Sequence, residues 1–171
     1  MNKKQEANAF VKECITAALL EMMREQTFQS ITITSLIQKA GVGRMSFYRN
    51  FGNKEEILRQ YLNQLIIAWG KEAEKDTSGN FEEVLFRHYY QHKELFSLLY
   101  RDGLSYLILQ NIKHVCGPKE GQTNVAAYAS AWLAYGLYGW IDDWFHRGMP
   151  ETPSEMGQLW LESQKCSITH Q

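Results

Sequence analysis

The sequence predicts an all-α fold of roughly nine helices. Three observations predict it. Apolar residues recur at three- and four-residue spacing along most of the chain. The three prolines (Pro118, Pro150, Pro153) fall in loops or at a helix start, where the missing N–H breaks no helical bond. The single alternating run, around Ile31 and Ile33, has no partner strand and reads as a connector.

The elements follow in order. Residues 5–26 form a first helix, with apolar Phe10, Cys14, Ala17, Ala18, Leu20 and Met22 close to helical spacing. After the connector at 27–34, Thr34 is the expected N-cap of a short helix over 35–40, which Gly41 ends by its freedom at positive φ. A third helix spans 44–50. Asn53 and Glu56 resemble a capping box and open a long helix, 53–75, with Ile57, Leu58, Tyr61, Leu62, Leu65 and Ile66 on its inner side. Asp76–Gly79 is the best linker. Helices then follow over about 80–91, 92–100, 104–115, 123–147 and 153–165. The expected division is a head at 1–52 and a second domain at 53–171.

The 171 residues include 44% hydrophobic and 22% charged, enough apolar mass for a core. The net charge of −1 hides an asymmetry: residues 1–60 hold nine Lys or Arg and six acids, and the remainder nine and thirteen. A basic first third on an acidic body points to a polyanion meeting the first part. Three widely spaced cysteines (Cys14, Cys116, Cys166) suggest no disulfide framework. No apolar run reaches the ~20 residues of a membrane span, and MNKKQEANAF lacks the apolar region of a secretory signal. A cytoplasmic protein with no membrane partner is expected.

GVGRMSFYRNFGNKEEIL, residues 41–58, carries the functional signal. Helix, glycine turn and short helix form the layout of a helix-turn-helix, whose second helix enters the DNA major groove. Ala40, Val42 and Phe47 would lock the pair, leaving Arg44, Ser46, Tyr48 and Arg49 protruding. Arginine pairs bidentately with guanine, and hydroxyls reach phosphate. Each residue also has an ordinary reading: the arginines as solvated charge, Tyr48 as packing against the following helix, Lys54 as helix-surface charge beside two glutamates.

Residues 34–58 resemble the DNA-binding signature of the TetR family of bacterial transcriptional regulators. The A-G-V turn, the F-Y-R-x-F run and the G-N-K-E-E-I-L helix start carry the match, which spans roughly residues 8–62. The resemblance implies that Thr34 contacts a phosphate while capping its helix, that Gly43, Arg44 and Met45 face bases, and that Tyr48 binds phosphate with Arg49 and Asn50 beside it. Lys54 would meet phosphate at a helix N-terminus. Ile37, where the family usually has a small residue, and Gly43, where serine or threonine is frequent, depart from the pattern.

The resemblance further implies a C-terminal domain that binds a small-molecule effector and dimerises. Aromatic density after residue 80 suits an apolar pocket, with Phe96, Tyr100, Trp132 and Tyr135 as first candidates. Small residues among large ones on the 123–147 helix (Ala126, Ala129, Ser130, Ala134, Gly136, Gly139) allow close helix approach; with the helix at 154–165 they would form the homodimer interface. The expectation is a ligand-responsive regulator, preferably a repressor, binding a palindromic double-stranded operator as a dimer. The competing expectation is a small-molecule-binding adaptor or coactivator of the same fold with little DNA binding. No cofactor, metal or catalysis is expected. His88 and His92 at i, i+4 find no further ligand in sequence beyond the distant His114 and Cys116, and Asp142, Asp143 and His146 suit helix-end electrostatics better than acid–base work. Nucleotide-binding and hydrolase motifs are absent from the sequence.

Overall fold

A computed structural model describes residues 3–75 and 80–166, so the linker read at Asp76–Gly79 lies outside the described residues. Among them are nine α-helices, one short 3-10 turn and no strand. By compactness the chain falls into two units: Met1–Leu65 with Leu98–Leu107, and Ile66–Ser97 with Ile108–Gln171.

The first unit holds α1 (Lys3–Glu25), the 3-10 turn Phe28–Ser30, α2 (Ile33–Lys39), α3 (Arg44–Asn50) and the start of α4 (Lys54–Ala73). Its core is Ile15, Leu19 and Met23 of α1, Leu36 of α2, Phe47 of α3, and Ile57, Leu58 and Leu62 of α4. Only part of the apolar set on α1 is buried. Ile15, Ala18, Leu19, Met22 and Met23 are buried, while Phe10 is 66% exposed and Ala17 lies on the surface. Apolar residues occur on several sides of this helix, so its periodicity does not fix one phase.

The N-cap of α2 is also corrected. Thr32, two residues before Thr34, accepts the Ser35 N–H at 3.0 Å, and Ser35 Oγ accepts the Thr32 N–H at 3.2 Å. This reciprocal pair is a capping box with serine in the third position. It starts the helix early enough for Leu36 to reach the core. At the other end Gly41, at φ 66°, donates to Gln38 O and Val42 donates to Ile37 O. That is the Schellman pattern, and it needs the left-handed residue that glycine supplies. Asn53 caps α4 as expected, accepting the Glu56 N–H at 2.8 Å. The Glu56 carboxylate, however, turns to Gln60 and Arg59 instead of closing the box.

The second unit contains α5 (Phe81–Gln91), most of α6 (Lys93–Arg101) and α7 (Tyr106–Cys116), α8 (Asn124–His146, capped by Thr123) and α9 (Pro153–Cys166). Its core is aromatic: Trp144 packs on Phe86 with centroids 5.6 Å apart, and Trp160 on Trp140 at 5.2 Å. Tyr89 packs on Phe96 at 4.7 Å. α9 lies close on α5 at Gly157, where an added Cβ would sit 3.2 Å from the backbone nitrogen and Cβ of Glu83. α8 is apolar on both sides. Ala134, Leu137, Ile141 and Trp144 face the core, whereas Val125, Tyr128, Trp132 and Tyr135 are half or more exposed. No helix among the described residues is long and apolar enough to cross a membrane.

Candidate nucleic-acid interface and effector cavity

α2 and α3 are each only seven residues long, too short to hold their shape without tertiary contacts. α3 is held by Phe47, fully buried, whose ring meets Tyr48 edge-on at 5.2 Å and Phe51 at 6.1 Å. Anchoring one side of α3 this way sends the other side outward. Thr34, Gly43, Arg44, Met45, Tyr48 and Arg49 are all exposed, Met45 to 77%. Ser46 and Asn50 are half-covered, and Asn50 donates to the Ser46 carbonyl at 2.8 Å. Seven of the nine sequence-derived positions thus lie on α3 or its N-cap, with Thr34 on α2 and Lys54 on α4.

Most arginines outside α3 are neutralised by carboxylates. Arg59 pairs with Glu55 and Glu56, Arg87 with Glu83, Arg101 with Asp102, Arg147 with Asp143 and Lys39 with Glu21. Arg44 and Arg49 have no carboxylate partner among the described residues; the Arg44 guanidinium lies over the Tyr48 ring at 5.7 Å. That contact orients the side chain without neutralising it. α3 therefore offers two uncompensated positive charges beside an exposed methionine and tyrosine, a combination suited to phosphates and base edges.

Lys54 is placed differently. Its ammonium donates to the Phe28 carbonyl at 2.6 Å and to the Ile31 carbonyl, and sits 4.5 Å above the Phe28 ring. Burial pushes its pKa below the ordinary lysine value. A phosphate contact by Lys54 would have to compete with those two carbonyls. Thr34 no longer serves as a cap, which leaves its exposed hydroxyl free of that duty.

Sequence reasoning missed the group that holds the same connector from the other side. Asp102, 6% exposed, accepts the Phe28 N–H at 3.0 Å. Arg101 donates to both Asp102 oxygens and to the carbonyls of Met23 and Gln26 at the end of α1. Nothing local in Arg101-Asp102-Gly103 signals partners more than seventy residues away.

In the second unit, five helices wall a cavity of about 320 Å³. Trp69, Leu85, Tyr89, Leu137, Ile141 and Trp160 are among its lining residues. None of the four aromatics expected for a ligand lies there. Phe96 is buried against Tyr89 and Phe145, Tyr100 belongs to the first unit, and Trp132 and Tyr135 stand on the outer face of α8 at 68% and 52% exposure. Aromatic identity alone does not separate core, cavity and surface. His88 and His92 meet ring to ring at 5.1 Å, and no group of three metal-ligating side chains occurs among the described residues.

Residues 15–61 match the family model described as bacterial regulatory proteins, tetR family. No curated protein matches the chain.

Proposed function

We propose that the chain, whose residues 15–61 match the tetR family model, belongs to that family and is a ligand-responsive regulator that binds a palindromic operator as a homodimer and acts as a repressor. DNA binding by its helix-turn-helix is the family's shared property. The observation that carries the reading for this chain is the pair of uncompensated arginines, Arg44 and Arg49, on an exposed α3 whose other side is fixed by Phe47. Arg59, Arg87, Arg101 and Arg147 pair with carboxylates, so leaving these two open favours an anionic partner. The functional division we adopt is a DNA-binding head at 1–52 and an effector and dimerisation domain at 53–171.

Dimerisation is supported by α8. Val125, Tyr128, Trp132 and Tyr135 recur at helical spacing and are exposed, an apolar stripe of the kind that marks an interface. Leu159 and Leu161 of α9 are also exposed. Two copies joined there would present two recognition helices to half-sites about one helical turn of DNA apart. The effector reading rests on the cavity of the second unit. A ligand favouring a DNA-incompatible spacing of the heads would release the operator.

Selection of bound fragments from random DNA, followed by a mobility shift with wild type and an Arg44→Ala/Arg49→Ala double variant, tests the reading. Wild type is expected to enrich an inverted repeat and the double variant to bind nothing. Failure of wild type to enrich any DNA would favour the adaptor reading.

A further inference from the structure

The chemistry of the cavity walls restricts what fits inside. The Trp69 indole N–H is already spent on the Val84 carbonyl at 3.2 Å, so that ring offers a flat apolar wall. The Cys116 thiol is turned to the Ile112 carbonyl at 3.3 Å. Leu85, Leu137 and Ile141 add hydrocarbon. Of the donors on the walls, the Tyr89 hydroxyl and the Trp160 indole N–H have no hydrogen bond among the described residues, and Tyr89 is the more deeply buried, at 2% exposure. A hydroxyl on a cavity-lining residue without a protein partner is free to donate to a ligand. Burial also raises the phenol above its ordinary pKa, so it stays an uncharged donor.

Charge narrows the choice. Glu82 is the only Asp, Glu, Lys, Arg or His in the lining. An anion entering here would lose its hydration and meet no cation in exchange. The volume of about 320 Å³ stands at the lower end of the roughly 300–1,000 Å³ typical of small-molecule sites. Phe81, Val115 and Leu133, exposed to 53%, 46% and 37%, give the cavity an apolar mouth.

We propose that this cavity takes an uncharged, flat, mostly apolar molecule of one or two rings whose single oxygen acceptor receives the Tyr89 hydroxyl. The proposal rests on the reading of the cavity as the effector site and adds the class of effector. Anionic metabolites and phosphorylated compounds are excluded by the same walls.

Prodan, a neutral naphthyl ketone with environment-sensitive emission, and anilinonaphthalene sulfonate, an anion of similar ring size, are suitable probes for the full chain. Prodan should bind one per chain with blue-shifted emission, at least about tenfold tighter than the sulfonate. Tyr89→Phe should weaken prodan roughly fivefold, the loss of one hydrogen bond, and leave the ketone-free analogue dimethylaminonaphthalene unchanged. Leu137→Trp should fill the cavity and abolish binding. Because that variant risks misfolding, Val115→Arg at the half-exposed mouth serves as the second: prodan should weaken and the sulfonate gain. Phe10→Ser, exposed on α1 and outside the cavity lining, should leave the affinity for both probes unchanged. Equal affinity for the two probes would overturn the proposal. So would a Tyr89→Phe effect shared by the ketone-free analogue, or prodan affinity unchanged by Val115→Arg. Prodan binding as expected with no change in operator affinity would sustain the cavity chemistry and remove only the effector reading.

Discussion

The carboxylate of Asp102 accepts the backbone N–H of Phe28 at 3.0 Å and joins the α6–α7 turn to the connector between α1 and α2. The same connector is held through its carbonyls by Lys54. Donor and acceptor groups of Phe28 are therefore both satisfied by side chains distant in sequence. Since α2 starts at Ile33, whatever fixes Phe28–Ile31 fixes where the helix-turn-helix begins.

Asp102→Ala should expose the value of that contact. It strands the Phe28 N–H and removes the partner of Arg101. With Asp102 almost fully buried, the expected loss is about 1–3 kcal/mol, read as a lower urea midpoint at unchanged slope. Operator affinity, measured well below the unfolding range, should also fall. A midpoint within error of wild type would remove Asp102 from this role.

Lys54→Ala separates two readings of one ammonium. If Lys54 chiefly holds Phe28 and Ile31, the variant loses stability, and the dependence of operator affinity on salt keeps its wild-type slope. We expect this outcome, because the ammonium is already engaged in the chain. A phosphate contact would instead flatten the slope by about one unit with little change in stability.

Much of the head was legible because its signals are local. Gly41 ends α2 and Asn53 caps α4 through residues within a few positions of themselves. Thr32 was missed because Thr34 satisfies the same local rule, and the reciprocal hydrogen bonds of Thr32 and Ser35 decide between them. Asp102 was illegible for the opposite reason, its partner lying 74 residues away. α8 shows a third kind of failure. With apolar residues on both sides, its sequence does not say whether Trp132 or Leu137 turns inward, and the candidates Trp132 and Tyr135 stand on its exposed side.

His88 makes stability depend on pH. It is 6% exposed and packed against Trp69, Tyr89, Phe96 and His92. Burial, with a smaller contribution from His92, pushes its pKa down from 6.5 to about 4. Between those values the unfolded chain takes up a proton that the folded chain refuses. Stability should thus be unaffected by His88 above about pH 6.5 and fall as pH drops toward 4, by up to about 1.4 kcal/mol per unit. Urea titrations at pH 7, 6 and 5 check this against His88→Phe, whose profile should be flatter over that interval. Parallel profiles would assign the acid sensitivity to other groups.

Ala129→Arg and Gly136→Arg test the dimer. Ala129 is exposed, and a Cβ added at Gly136 meets nothing within 4 Å in its own chain. Neither change should disturb the fold of one copy, so circular dichroism should match wild type. Sedimentation should show monomers, with operator binding lost because one head makes half the contacts. Intact dimers in both variants would move the interface off this face of α8.

Arg44 stands at the first position of α3, exposed, with its guanidinium over Tyr48. A base contact and a phosphate contact predict different patterns for Arg44→Ala. Reading a guanine through O6 and N7 should make the loss about 1–3 kcal/mol on the preferred operator. It should be smaller on variants already changed at one symmetric pair of positions, where preference relaxes. A backbone contact should cost the same on every single-base variant. Tyr48→Phe refines the comparison: the ring that carries the guanidinium remains, and only the hydroxyl offered to phosphate goes. It should weaken all operators alike and leave base preference intact. We expect Arg44→Ala to show the position-specific pattern. A uniform loss would shift specificity onto Met45, Arg49 and the deformability of the DNA.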